Sequence, residues 1–238
     1  LTSMHLKRFI KTICCLSLLF FFSTASKAQV GEQRHLFSIG VNGGMSLNSV
    51  DFSPKIKLSQ LMGYTGGFTV RYISEKYFAM ICGAQIEVNY ALRGWEEEIE
   101  EQPVDNHLAY TRNMSYIEIP FLAHLAFGKE RRGAQFFINL GPQIGFLLSE
   151  KEKIEGDWSN PPIPVVEQHG KKIDKKFEYG ITGGLGVELK TNAGNFLLEG
   201  RYYFGLSDFY NNTKKDLFSR SAHSVISVRV SYLWDLIK

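Results

Sequence analysis

From Ser224 onward the chain alternates strictly: Ile226, Val228, Val230, Tyr232 and Trp234 fall on one side, and Ser227, Arg229 and Ser231 on the other. Such a period of two is the mark of a strand with two different faces. The rhythm recurs through most of the chain. Leu198, Gly200, Tyr202, Phe204 and Leu206 oppose Glu199, Arg201 and Tyr203, and Ile181, Gly183, Leu185, Val187 and Leu189 oppose Thr182, Gly184, Gly186, Glu188 and Lys190. At 135–149 Phe136, Ile138, Leu140, Ile144 and Phe146 oppose Asn139, Gly141, Gln143 and Gly145, and at 113–127 Ile117, Ile119, Phe121, Leu125 and Phe127 oppose Glu118 and His124. At 77–95 Met80, Ala84, Ile86, Val88, Tyr90 and Leu92 oppose Gln85, Glu87, Asn89 and Arg93. The first two segments, near 36–47 and 61–74, are richer in glycine but still alternate, as in Phe37, Ile39, Val41 and Phe68, Val70, Tyr72.

The pattern predicts eight strands of roughly 12 to 18 residues, longer than the 5–6 usual in soluble sheets. At about 3.3 Å per residue and a tilt near 40°, a 12-residue strand rises roughly 30 Å, enough to cross the ~25 Å apolar band of an outer membrane. The connections alternate as well. Glu75-Lys76, Gly128 to Gly133 and Thr191 to Gly194 read as short turns; 48–60, 96–112, 150–176 and 210–222 read as long polar loops. Short turns at one end, long loops at the other and an even strand count describe an all-β, eight-stranded antiparallel transmembrane barrel with short periplasmic turns and long extracellular loops. A soluble sandwich or lipocalin-like barrel would have a polar outer face and an apolar inner one, but the polar face here carries Gly, Ser, Asn, Glu and Arg, too many charges for a soluble core of this size.

The N-terminal region breaks the rhythm. Lys7, Arg8 and Lys11 precede an apolar run from Ile13 to Phe22, and Ser26-Lys27-Ala28 places small residues where a signal peptidase reads them. Residues 1–28 are expected to be a secretory signal peptide cut between Ala28 and Gln29, with residues 29–238 forming a single outer-membrane barrel domain. The apolar run is too short for the roughly 20 residues of a transmembrane helix. The leader holds four bases and no acid, so of 27 bases and 24 acids the remainder keeps 23 and 24, a net charge of −1. The apparent basicity belongs to the leader, and no nucleic-acid partner is implied. Only Cys82 lies outside the leader, so no intrachain disulfide is expected.

An eight-stranded barrel is filled by side chains, so inward charges must pair. Parity places Arg71, Arg201 and Arg229 inside with Glu87, Glu118, Glu188 and Glu199, as an ion network that fills and rigidifies the barrel. Arg201 and Arg229 are expected within ion-pair reach of these glutamates, with Arg71 more loosely involved. Lumen glycines such as Gly180, Gly184 and Gly186 make room for the long side chains. Catalytic candidates are weak: His124 shares the polar face, His107, His169 and His223 read as lying in or beside loops, and His223 and Ser224 point to opposite faces. No His-x-x-x-His or Cys-x-x-Cys spacing exists, so no metal or other cofactor is expected. The loops hold the binding potential. Glu96, Glu97, Glu98, Glu100 and Glu101 form an acidic run that usually means a solvated loop but could take cations or a basic partner. Trp158 stands before Pro161-Pro162-Ile163-Pro164, a contact candidate or a self-packed loop.

Four stretches carry a resemblance: Ser115 to Leu122 (SYIEIPFL), Gly183 to Leu189 (GGLGVEL), Leu198 to Leu206 (LEGRYYFGL) and the Val225-to-Trp234 finish. In this order and behind a leader they resemble the outer-membrane β-barrel family of Bacteroidota that includes the PorT proteins. The resemblance implies an eight-stranded barrel, non-enzymatic, delivered by the general outer-membrane assembly machinery into outer-membrane lipid. It implies a structural or partner-binding role through the outer loops, or, in the PorT branch, an accessory role in protein secretion across the outer membrane. One departure from the pattern is the ending Trp234 to Lys238, which leaves the assembly signal on Tyr232 and Trp234.

Overall fold

The alternating segments form strands in the computed structural model, which describes residues 32–99, 108–130, 132–159, 166–213 and 216–237. They are β1 (Glu32–Ser53), β2 (Leu58–Ser59), β3 (Leu61–Tyr77), β4 (Met80–Glu97), β5 (Ala109–Gly128), β6 (Gly133–Glu155), β7 (Phe177–Lys190), β8 (Asn195–Gly205) and β9 (Arg220–Ile237). Hydrogen bonding runs β4-β3-β1-β9-β8-β7-β6-β5, and β5 pairs back to β4, so the eight long strands close on themselves. All pairings are antiparallel, and closure leaves no open edge. The two-residue β2 is a rim strand that pairs Leu58 with Glu97 and Ser59 with Glu96. The expected leader and its cleavage point, Ala28–Gln29, lie outside the described residues.

Exposure runs opposite to that of a soluble barrel. Leu185 and Phe68 are 71% and 70% exposed, while Glu188, Arg71 and Glu87 are each 1% exposed. The alternating apolar residues form a continuous outward belt, and the polar residues between them fill the interior. Along β8 and the residue that follows it the belt runs from Phe196 to Leu206, a rise of roughly 25 Å at about 3.3 Å per residue and a tilt near 40°. Inside, glycine makes space where a long side chain passes: a Cβ on Gly184 would sit 2.3 Å from Glu199 Oε1.

Two expected boundaries are corrected. The turn after β3 falls at Phe78-Ala79, not at Glu75-Lys76, because both of those residues remain in the ladder opposite Cys82 and Ile81. Phe78 takes a left-handed φ of 50° to close it. At the loop end the strands outrun the polar signal. β1 continues to Ser53, β4 to Glu97 and β5 starts at Ala109, while β6 continues to Glu155 through polar residues whose ladder partners lie on β5. The wall is therefore tall at β5 and β6, of 20 and 23 residues, and low at β7 and β8, of 14 and 11.

Candidate functional site

Near the short-turn end of the lumen, Arg71 on β3 spans the barrel to Glu188 on β7 with two parallel hydrogen bonds of 2.7 Å. This corrects the expectation of a loose Arg71. Its fork geometry matches both carboxylate oxygens, and the pair is fully buried. His124 lies beside it, with Nδ1 2.8 Å from Asn139 Oδ1 and Nε2 3.5 Å from Arg71. The next layer centres on Glu87. Arg201 donates to both of its oxygens, at 2.9 and 2.8 Å, and also to Glu199 at 2.8 Å. Arg229 approaches the same Glu87 at 3.1 Å and donates to Asn42. Although Glu199 and Arg229 face each other across the β8–β9 ladder, each finds its charge partner elsewhere.

Above this layer lies a cluster that parity alone did not single out. Arg93 donates to Glu118 at 2.5 Å and to Glu178 at 3.3 Å, and its guanidinium stacks 4.4 Å from the Tyr203 ring. Glu178 also accepts from Tyr116 and lies 3.1 Å from His223 Nδ1. Arg93 was already on the polar face, and Glu178 shares the parity of Gly180 and Thr182. The available signal was adjacency: Arg93 and Glu118 lie on the polar faces of β4 and β5, consecutive strands that pair with each other. His223 sits inside β9 and is buried, not beside a loop.

The lumen ends at an aromatic cap. Phe52, Trp95, Tyr110, Tyr116, Phe209, Tyr210 and Phe218 pack with Val50, Met114, Leu147 and Ile173 into one buried cluster. Phe52 is central, with ring centroids 5.3 Å from Trp95 and 5.1 Å from Phe218. Loop 166–176 is tied over the cluster by the wall: Glu152 accepts from Gly170 N at 3.1 Å and Glu150 from Ile173 N at 3.3 Å. Arg112, in the stretch expected to be loop, bonds both of these glutamates.

The acidic run divides accordingly. Glu97 is buried, accepts from Gln168 at 2.6 Å and lies 2.9 Å from His169 Nε2, so it is not a solvated loop residue. Glu96 is half-buried opposite Ser59 and Thr111, and Glu98 is exposed. Glu100 and Glu101 lie outside the described residues, as do His107 and the prolines from Pro161 to Pro164. Trp158 is half-buried, edge-on to His169 at 4.6 Å, and donates Nε1–H to Glu155 O at 2.9 Å. It packs against the cap as a self-packed loop does.

At the short-turn rim, Glu130 accepts from Arg34 and, at 3.2 Å, from Lys76. The hydrogen bond from Arg34 holds its carboxyl down to about 2.

Compared with known proteins, the chain matches the model of the outer membrane protein beta-barrel domain over residues 27–211. No curated protein matches. Solved structures that resemble it include OprG from Pseudomonas aeruginosa, 11% identical over 86% of this chain and 98% of that one, with a TM-score of 0.45. Neisserial surface protein A is 11% identical over 82% and 96%, at 0.40. Ail of Yersinia pestis is 12% identical over 83% and 99%, at 0.37.

Proposed function

Since the chain belongs to the outer membrane protein beta-barrel domain family, we propose that it works in the outer membrane as a non-enzymatic, non-conducting barrel whose capped loops form a rigid platform for a protein partner at the cell surface. The carrying observation is the cap: loop 166–176 is hydrogen-bonded to Glu150 and Glu152 of the wall and seated on the buried aromatic cluster. Loops held in one conformation give up little further entropy on binding. Beneath the cap, the network of Arg71, Arg93, Arg201 and Arg229 with Glu87, Glu118, Glu178, Glu188 and Glu199 supports a structural role for the lumen. Each arginine is committed to a carboxylate, and a lumen of eight strands is filled by side chains.

Delivery is proposed to run through the leader of residues 1–28 and the general assembly machinery. The PorT-like secretion role finds no separate support, because the stretches that carry the resemblance, such as Ser115 to Leu122 and Leu198 to Leu206, lie mainly in the wall on β5 and β8 and speak to fold.

A photo-crosslinking residue at exposed Lys172 on whole cells tests the platform, with the same residue at Lys129 in a short turn as the comparison. Discrete protein adducts from Lys172 support it; adducts from Lys129 alone place the working surface at the other end. Unitary conductance steps in planar bilayers would contradict the closed lumen.

A further inference from the structure

The low side of the wall carries a feature the loop platform does not use. Where β7 begins and β8 ends, a groove of about 500 Å³ opens on the outside of the barrel. Lys175 and Lys176 form its upper part, and Phe177, Tyr179 and Leu206 line it below. Those three apolar residues are 46%, 50% and 46% exposed and belong to the top of the outward belt. The lysines follow immediately above, at the height where hydrocarbon gives way to headgroups.

The groove is built, not incidental to a wandering loop. Lys175 N donates to Phe209 O at 2.9 Å, and Lys176 O accepts from Leu147 N at 2.8 Å, so the backbone of both lysines is pinned. Phe177 packs on Phe146 with centroids 5.3 Å apart. The acid in the lining, Asp208, accepts from Ser221 N at the start of β9 at 2.7 Å and from Asn212 Nδ2 in its own loop at 3.0 Å, so both of its oxygens are already engaged away from the lysines. A neighbouring groove of about 590 Å³ at β1 and β8 differs in that it mixes Lys55 and Lys57 with Asp51 and Glu98.

We propose that the Lys175–Lys176 groove binds the phosphorylated headgroup of an outer-leaflet lipid, with its acyl portion against Phe177, Tyr179 and Leu206. The groove is cationic above and apolar below along the membrane normal, which is the polarity of such a lipid in its own leaflet. A free phosphate would meet only the lysines and would leave the aromatic half without a function. Juxtamembrane lysines attract anionic lipid strongly enough that loss of two corresponds to about 30-fold in affinity.

The test is native mass spectrometry of the folded protein in neutral detergent, titrated with phosphatidylglycerol or phosphatidylcholine. Wild type should retain phosphatidylglycerol selectively, and excess inorganic phosphate should not displace it. Lys175→Gln/Lys176→Gln should weaken retention about 30-fold. Lys151→Gln/Lys153→Gln, the same charge change on the tall wall, should not. Tyr179→Ser should weaken retention with no change in charge. Each variant is checked for folding by its mobility on an unheated gel. Equal retention of the two lipids, equal loss in both lysine pairs, or displacement by phosphate would each overturn the proposal.

Discussion

Replacing Arg71 with Met leaves Glu188 as a buried anion, because both of its carboxylate oxygens are bonded by that one guanidinium at 2.7 Å. Removing one partner of a buried pair costs about 3–5 kcal/mol. Glu188→Met should cost a similar amount, since among the described residues it leaves the guanidinium of Arg71 without a carboxylate partner, with the His124 ring 3.5 Å away. The double variant removes both charges and substitutes side chains that can fill the space, so it should be nearer to wild type than either single variant. Urea titration of the barrel in lipid vesicles, read by the folded band on an unheated gel, measures all four corners of this cycle. At a slope of about 2 kcal/mol/M, a loss of about 4 kcal/mol moves the midpoint by about 2 M. Lys151→Met, on an exposed stretch of β6, should stay within about 0.5 kcal/mol of wild type. Single variants as mild as Lys151→Met, or a double variant equal to the sum of the singles, would refute the claim that this pair is buried and mutually dependent.

Three further outcomes are expected. The Glu130 carboxyl is held below its usual value by Arg34, so the pair adds stability above about pH 4.5 that is lost as pH falls through about 2; the melting-temperature gap between wild type and Arg34→Gln should be present in full at pH 6 and mostly lost by pH 2. Phe52→Ala removes the ring at the centre of the cap, a loss of about 3–5 kcal/mol by analogy with core Phe→Ala changes, and should speed trypsin cleavage in loop 166–176 well before the barrel unfolds; an unchanged cleavage rate would count against the cap. N-terminal sequencing of the protein from membranes should begin at Gln29, and a chain that retains Ala28 and its leader would refute the expected cleavage.

How much of this was legible follows from which signals are local. Face assignment was readable because alternation repeats over many residues, and Glu87, Glu188, Arg201 and Arg229 could be turned inward by parity alone. Strand tops were not, because Lys151 to Glu155 read as loop by polarity while their backbone pairs with β5 above the lipid, where polar side chains cost nothing. The turn at Phe78-Ala79 lacked Gly, Asn or Pro, and the polar Glu75-Lys76 just before it drew the boundary early. Partner choice was the least readable. Arg71 and Glu188 are 117 residues apart and meet across the lumen, not along a ladder. The cap was hidden for the same reason, since Phe52, Trp95 and Phe218 come from three different stretches that each looked like loop or its margin.

The most direct test of the central claim is a nitroxide scan of β9 in a Cys82→Ser background, with labels placed singly from Ile226 to Tyr232 and the barrel in lipid vesicles. Labels at Ile226, Val228, Val230 and Tyr232 should collide readily with oxygen dissolved in the bilayer, while labels at Ser227, Arg229 and Ser231 should be shielded from both oxygen and a water-soluble relaxant. Loss of the alternation, or water-soluble relaxant reaching the odd-numbered positions, would contradict a closed, side-chain-filled barrel with its apolar face in lipid.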